Sequence, residues 1–171
     1  MAERRPELEL REATPDDAAA IAAVWNPVIE GSLATFNDRP WSEAELAALI
    51  AARRAEGLPW LLAFMPEIGL AGFVTAFQLR GGRGYRHTYE HTIILAPEAR
   101  GHGVGRALMD ELEARLRARG GHSLWACVSA ANPAGIGFHA SIGFHEVARL
   151  PEVGRKAGRW LDLVLMMKRL A

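Results

Sequence analysis

The chain reads as a single α/β (α+β) domain: a mixed, mostly antiparallel central sheet of about seven strands flanked by about four helices. Three observations predict this. Strand and helix signals alternate along 171 residues without an internal repeat or linker, a length that suits one domain. Three strand-like segments follow one another through the middle of the chain, as in an antiparallel meander. Only one regular amphipathic helix then crosses to the next strand, so the tandem βαβ series of a nucleotide-binding doubly wound fold is missing. The domain is expected over 8–171, with an N-terminal tail at 1–7.

The elements follow in order. Leu8 to Arg11 alternates like a short strand. Thr14-Pro15-Asp16-Asp17 supplies a helix start, with Thr14 as N-cap and Pro15 first. That helix should carry Ile21, Val24, Trp25 and Val28 inward. Ser42-Glu43-Ala44-Glu45 is a capping box for a second helix running through Leu46, Leu49 and Ile50 toward Gly57. Strands are expected at Trp60 to Phe64, Gly69 to Phe77 and Thr88 to Leu95, the last two joined by the turn Arg80 to Gly84. The most regular helix, over 103–119, places Val104, Leu108, Leu112 and Leu116 on one side. Its pairs Glu111–Arg115 and Glu113–Arg117 are expected on the wet face. A strand (Ser123 to Ser129), a helix (Asn132 to Ile142) and two closing strands (Phe144 to Leu150, Arg159 to Met167) complete the chain.

Composition narrows the function. Hydrophobic residues make up 50% and charged residues 23%, enough apolar mass for a core and against disorder. Lys plus Arg and Asp plus Glu stand at 20 each. With no global positive field, neither nucleic acid nor a membrane surface is an expected partner, and an anionic ligand must be held locally. The lone cysteine, Cys127, lies in the strand-like run Leu124 to Val128 and cannot form an internal disulfide. That suits a reducing compartment, and a cytoplasmic location is expected. The stretch Met1 to Glu7 lacks the apolar run of a signal peptide. No segment approaches the ~20 apolar residues of a membrane span.

The informative segment is Ile93 to Leu108. A buried strand feeds Arg100-Gly101-His102-Gly103-Val104-Gly105-Arg106, where three glycines alternate and a helix begins. Glycines let backbone N–H groups approach a ligand, and the helix N-terminus adds partial positive charge. Arg100 and Arg106 add full charges, so the segment can cradle phosphate. A Walker A loop fails because Gly105 is followed by Arg106-Ala107; a dinucleotide fingerprint fails because its third glycine position holds Arg106. A glycine-rich helix entry without a ligand is the bland alternative.

The Arg-Gly-x-Gly-x-Gly pattern after a strand resembles the acyl-CoA pyrophosphate loop of the GNAT (Gcn5-related) N-acetyltransferase superfamily. Tyr85 to Thr92, Asn132 to His139, Ser141 to Phe144, Glu152 to Asp162, Trp25 to Ile29 and Thr35-Phe36 resemble its phosphinothricin/methionine sulfone acetyltransferase branch. The likeness covers nearly the whole chain. It implies a GNAT fold, acetyl-CoA as donor substrate, a homodimer and no metal. It implies donor contacts from Ile94, Leu95, Arg100, Gly101, His102, Gly103, Val104, Gly105, Arg106 and Asn132, with a backbone N–H, that of Leu95, polarising the thioester carbonyl. Asn132 reads equally as the N-cap of its helix. Gly135 stands where a serine is common and Phe138 where a leucine is common.

Acetyl transfer to an amine needs a base for the amine and a proton for the departing sulfur. By resemblance, Glu90 is the base and His139 takes the other proton role, with the two assignments exchangeable. The bland alternative for Glu90 is a carboxylate paired with Arg83 or Arg86. His87 and His91 are neighbours that share reach. Strand alternation puts His91 on the opposite face from Glu90, so a single cleft is expected to take both only through a bulge. For the acceptor, resemblance points to Arg80 for a carboxylate or phosphinate, with Phe36 and Tyr85 as walls. Leu79 replaces a phenylalanine usual there. The segment Val153 to Lys156 is expected as a loop near the acceptor or at a subunit contact, and the apolar strand Leu161 to Met167 is expected at that contact.

The expected activity is therefore acetyl-CoA-dependent N-acetylation of a small amino acid or analogue by direct attack in a ternary complex. The rivals are a protein or peptide N-acetyltransferase and a non-catalytic acyl-CoA-binding sensor.

Overall fold

The computed structural model describes residues 7–170. The tail expected at 1–7, Glu7 apart, lies outside the described residues, as does the last residue of the expected domain. The elements are β1 (Glu9–Glu12), a 3-10 turn (Pro15–Asp17), α1 (Ala18–Gly31), α2 (Glu43–Ala55), β2 (Trp60–Met65), β3 (Gly69–Gln78), β4 (Thr88–Leu95), α3 (Val104–Ala118), β5 (Ser123–Ser129), α4 (Pro133–Ser141), β6 (His145–Lys156) and β7 (Arg159–Arg169). The strands form one seven-stranded sheet in the order β1-β2-β3-β4-β5-β7-β6. All neighbours are antiparallel except β4 and β5.

Local chemistry sets the helix starts. The Thr14 N–H donates to Asp17, which the Arg11 guanidinium grips with both of its ends. Ser42 and Glu45 close the capping box reciprocally, at 2.9 and 3.2 Å. Alternation along the strands then builds two cores. On one face, Leu61, Val74, Ala76 and Tyr89 meet Leu108, Leu112 and Leu116 of α3. On the other, Trp60, Leu62 and Phe73 meet Ile21 near the start of α1 and Leu46 and Ile50 of α2. β2 is buried on both sides because helices cover both.

Three expectations change. Glu113 is not on a wet face: it is 3% exposed, because Arg117 and Lys168 both close on its carboxylate. The segment 153–156 is not a loop. β6 runs on to Lys156, pairing Gly154 with Leu161 and Lys156 with Arg159 around a two-residue turn, Ala157-Gly158, in which both residues take positive φ. The closing strand β7 is an interior strand between β5 and β6, and its Leu161, Val164 and Met166 are buried within the chain. The sheet's outer edge is β6, where Val147, Leu150 and Val153 are exposed.

One feature of the sheet positions everything that follows. β4 and β5 pair only at Thr88–Ser123, Tyr89–Leu124 and Glu90–Trp125. Beyond that point the strands part, while β4 stays paired to β3 as far as Leu95 without a register shift.

Candidate active site

The parting of the strands opens a cleft of about 1450 Å³ that runs through the sheet. Its walls come from the segment after α1, the second half of β4, the start of α3, the second half of β5 and the start of α4. Leu79 N–H donates to Thr88 O and Ala96 N–H to Ala71 O, which fixes the alternation along β4. The even-numbered residues turn their backbone groups to β3. Ile93 and Leu95 turn theirs into the cleft.

At the far end of β4 the chain enters α3 through Gly101 (φ 80°) and Gly103 (φ 79°), left-handed conformations that glycine adopts without strain. A Cβ at either would meet nothing within 4 Å, so the backbone here lies open to a ligand. Gly103 is the N-cap of α3. Arg100, Gly101, Gly103, Val104, Gly105 and Arg106 line the cleft. Arg106 also donates to Ser141 O at 3.2 Å, tying α3 to the end of α4. Gly105 packs against Phe138, whose Cε2 and Cζ would sit 3.1 Å from any Cβ there. Open amides, a helix N-terminus and two guanidinium groups beside an unpaired strand edge fit a pyrophosphate with an extended amide-bearing arm. Ile94 and Asn132 line the same cleft, and exposed His102 falls outside its lining. Asn132 caps α4, accepting from Gly135 N–H at 3.0 Å. Any side chain at 135 would press into it, with a Cβ only 2.4 Å from Nδ2.

Glu90 and His139 both line the cleft but on opposite faces of the sheet. Glu90 faces the α1/α2 side, opposite Phe77 in register. His139 faces the α3 side, against His91. Alternation thus holds, and the expected need for a bulge does not. The cleft passes between β4 and β5, so Glu90 and His91 reach it from either side. Burial pushes the Glu90 carboxyl up, while the neighbouring Cys127 thiol and the Arg53 guanidinium pull it down. Cys127 is pushed up to about 12, by burial first and by Glu90 second, which keeps it a thiol rather than a nucleophile. Arg83 and Arg86, the expected partners of Glu90, are exposed, and Arg86 donates to the Arg83 carbonyl instead. The guanidinium beside Glu90 is that of Arg53, stacked 4.5 Å from the Phe77 ring. His87 is exposed and bonds Gly120 O.

Phe36 lines the cleft, whereas Arg80 and Tyr85 do not. They sit on the exposed turn after β3, with the Arg80 guanidinium 6.0 Å from the Tyr85 ring. Phe36 is held by parts of the chain far from it. Gly154 lies against its ring, so closely that a Cβ would come 2.2 Å from Cδ2. Buried Lys156 donates to Ile29 O and to Thr35 O, the latter at 3.0 Å. Sequence reasoning missed Arg53 and Cys127 as parts of this site; it set the segment of Gly154 and Lys156 near the acceptor or at a subunit contact, but as a loop rather than the strand β6. Among the described residues no three metal-ligating side chains gather, and no helix is long and apolar enough to cross a membrane.

Comparison with known proteins agrees with this geometry. The sequence model described as Acetyltransferase (GNAT) family matches residues 25–144. The chain is 34% identical to the L-methionine sulfoximine/L-methionine sulfone acetyltransferase of Pseudomonas paraeruginosa, over 94% of each chain. It is 36% identical to the phosphinothricin N-acetyltransferase of Alcaligenes faecalis, over 94% of this chain and 82% of that one. An acetyltransferase from Salmonella typhimurium, solved with acetyl-CoA, superposes with a TM-score of 0.90 at 33% identity, covering 96% of this chain and 95% of that one.

Proposed function

The chain belongs to the GNAT acetyltransferase family, and from that premise we propose that it transfers the acetyl group of acetyl-CoA to the primary amine of a small amino acid or analogue of the methionine sulfone, methionine sulfoximine or phosphinothricin type. The observation that carries this reading is the parting of β4 from β5 at Glu90–Trp125. It sets an unpaired strand edge, an open glycine cradle and a half-buried carboxylate along one cleft. The acceptor class is supported by the relatives named above.

Acetyl-CoA supplies the activated acyl group. Gly101 and Gly103 amides, Arg100, Arg106 and the α3 N-terminus hold its pyrophosphate; the inward-facing groups of Ile93 and Leu95 pair with its arm. The Leu95 N–H polarises the carbonyl under attack. Glu90, raised by burial, takes the proton of the attacking amine directly or through one water. His139 serves the departing sulfur from the other side of β4. Phe36 walls the acceptor, and Arg80 with Tyr85, on the exposed turn outside the cleft lining, is assigned its carboxylate by resemblance alone. On this reading the protein works in the cytoplasm, where Cys127 stays reduced, and as a homodimer. The exposed Val147, Leu150, Val153 and Trp160 of the β6–β7 hairpin support an association there.

The test is thiol release from acetyl-CoA with methionine sulfone, methionine sulfoximine, phosphinothricin and a lysine peptide offered separately. Turnover with the amino-acid group is expected. Turnover with the peptide alone overturns the acceptor class. Acetyl-CoA binding without turnover on any amine returns the chain to a sensor role.

A further inference from the structure

The feature that the assigned chemistry leaves unexplained is a pair of histidines. His91 and His139 are each 6% exposed and face one another in the α3-side wall of the cleft. Their Nε2 atoms lie 3.0 Å apart. His91 Nδ1 lies 3.0 Å from Trp125 O, and His139 Nδ1 lies 2.7 Å from Gly135 O. A carbonyl oxygen only accepts, so both Nδ1 atoms must carry hydrogen. The contact between the two Nε2 atoms needs a further hydrogen. Three bonds require three N–H protons, and two neutral imidazoles carry only two. In every neutral arrangement at least one of the three contacts sets two lone pairs against each other in a buried place.

We propose that His91 and His139 hold one extra proton between their Nε2 atoms, that His91 is thereby a positioning residue for His139, and that the pair, while it holds that proton, brings a positive charge to the cleft across β4 from Glu90. The surroundings admit this charge singly. Phe138 and Phe144 pack their rings around the pair. Tyr89 and Ile93 of β4, Leu124 and Ala126 of β5 and Leu108 of α3 belong to the same core, and Tyr89 is the one titratable group among these five. Glu90 points to the opposite face, and the buried carboxylate of α3, Glu113, is held by Arg117 and Lys168. Burial pushes both rings down, and for His91 the nearness of His139 pushes further. The hydrogen-bond geometry calls for one proton against the cost of burial, and burial together with the repulsion of the two rings excludes a second. The two rings titrate as a unit.

The arrangement also refines the role of His139. Both of its nitrogens are engaged, so it acts through charge, favouring negative charge that develops in the cleft during acyl transfer. That role rests on the function proposed above; the shared proton does not.

The test is nitrogen-15 NMR of the histidine rings in the full-length protein between about pH 5 and pH 9. Below one common transition, both Nδ1 atoms should report N–H and the two Nε2 atoms should share a single proton. Both rings should then change together as it leaves. Separate titrations, or a fixed neutral pair throughout, would overturn the proposal. This titration needs no variant. In His91→Gln, kcat should fall about ten-fold and lose the pH limb that coincides with the pair's transition, with KM for acetyl-CoA changed less than about two-fold. A lowered Tm with an unchanged pH profile would show that His91 only packs, and would overturn its positioning role. Failure of every amine to turn over would overturn the proposed function alone, and the NMR titration would still decide the pair.

Discussion

The two sides of the cleft are built from different materials. The side assigned to the donor is mostly backbone: amides at Gly101 and Gly103, the unpaired edge of β4 at Ile93 and Leu95, and the first turn of α3. All of it comes from one stretch of about a dozen residues. The side assigned to the acceptor is mostly side chain. Glu90 comes from β4, Arg53 from α2, Cys127 from β5 and Phe36 from the segment after α1, with Gly154 and Lys156 of β6 holding Phe36 from behind. A backbone-built half depends on conformation and tolerates side-chain change. A side-chain-built half is retuned by single substitutions, which suits relatives that share one donor and differ in acceptor.

Substitutions on either side can break this contrast. The largest effect is expected for Glu90→Gln: kcat falls by about 100-fold or more, as for loss of a general base, while calorimetry finds acetyl-CoA affinity within about two-fold. Equal losses in both would mean that the halves are not separable. On the backbone side, Gly103→Val forces a branched residue into the left-handed region at about 1–2 kcal/mol. KM for acetyl-CoA should rise about ten-fold and the acceptor KM should hold. Gly154→Ala is the mirror experiment. Its Cβ must displace the Phe36 ring, so the acceptor KM should rise several-fold, or the preferred acceptor change, without a change in acetyl-CoA binding.

The smallest effect sharpens the chemistry rather than the architecture. A carboxyl pushed above its ordinary 4.5 is deprotonated only at higher pH, so activity that needs the Glu90 carboxylate should rise with pH along a limb above that value. The Cys127 thiol pulls Glu90 down. Cys127→Ala should therefore move that limb to higher pH in the kcat/KM profile. A shift downward would contradict that influence of the thiol on Glu90.

The same division explains what was legible before any fold was known. The cradle declares itself because its chemistry is local: three glycines at alternate positions and two arginines lie within seven residues. Capping residues and apolar spacing likewise place α2, α3 and β5 to within a few residues, since those signals are local too. The acceptor side depends on contacts across long stretches of chain. Lys156 meets Ile29 across 127 residues, and on the opposite face of the sheet His91 meets His139 across 48. No spacing encodes such meetings. Glu113 looked like a surface residue because its i,i+4 partner was visible, while Lys168, 55 residues on, was not. The turn after β3 shows the converse. Arg80 and Tyr85 were singled out by resemblance, and the chain sets them on an exposed turn outside the cleft lining.

The parting of β4 from β5 gives a single strand two kinetics of deuterium uptake. The amides of Thr92, Ile94 and Ala96 turn toward β3, and their protons should exchange only when that pairing opens. Those of Ile93 and Leu95 meet no strand and should label early. Along five consecutive residues, slow and fast amides alternate. A ligand lying along the open edge should silence the fast set and leave the slow set as it was, so the strand carries its own isotopic record of occupancy.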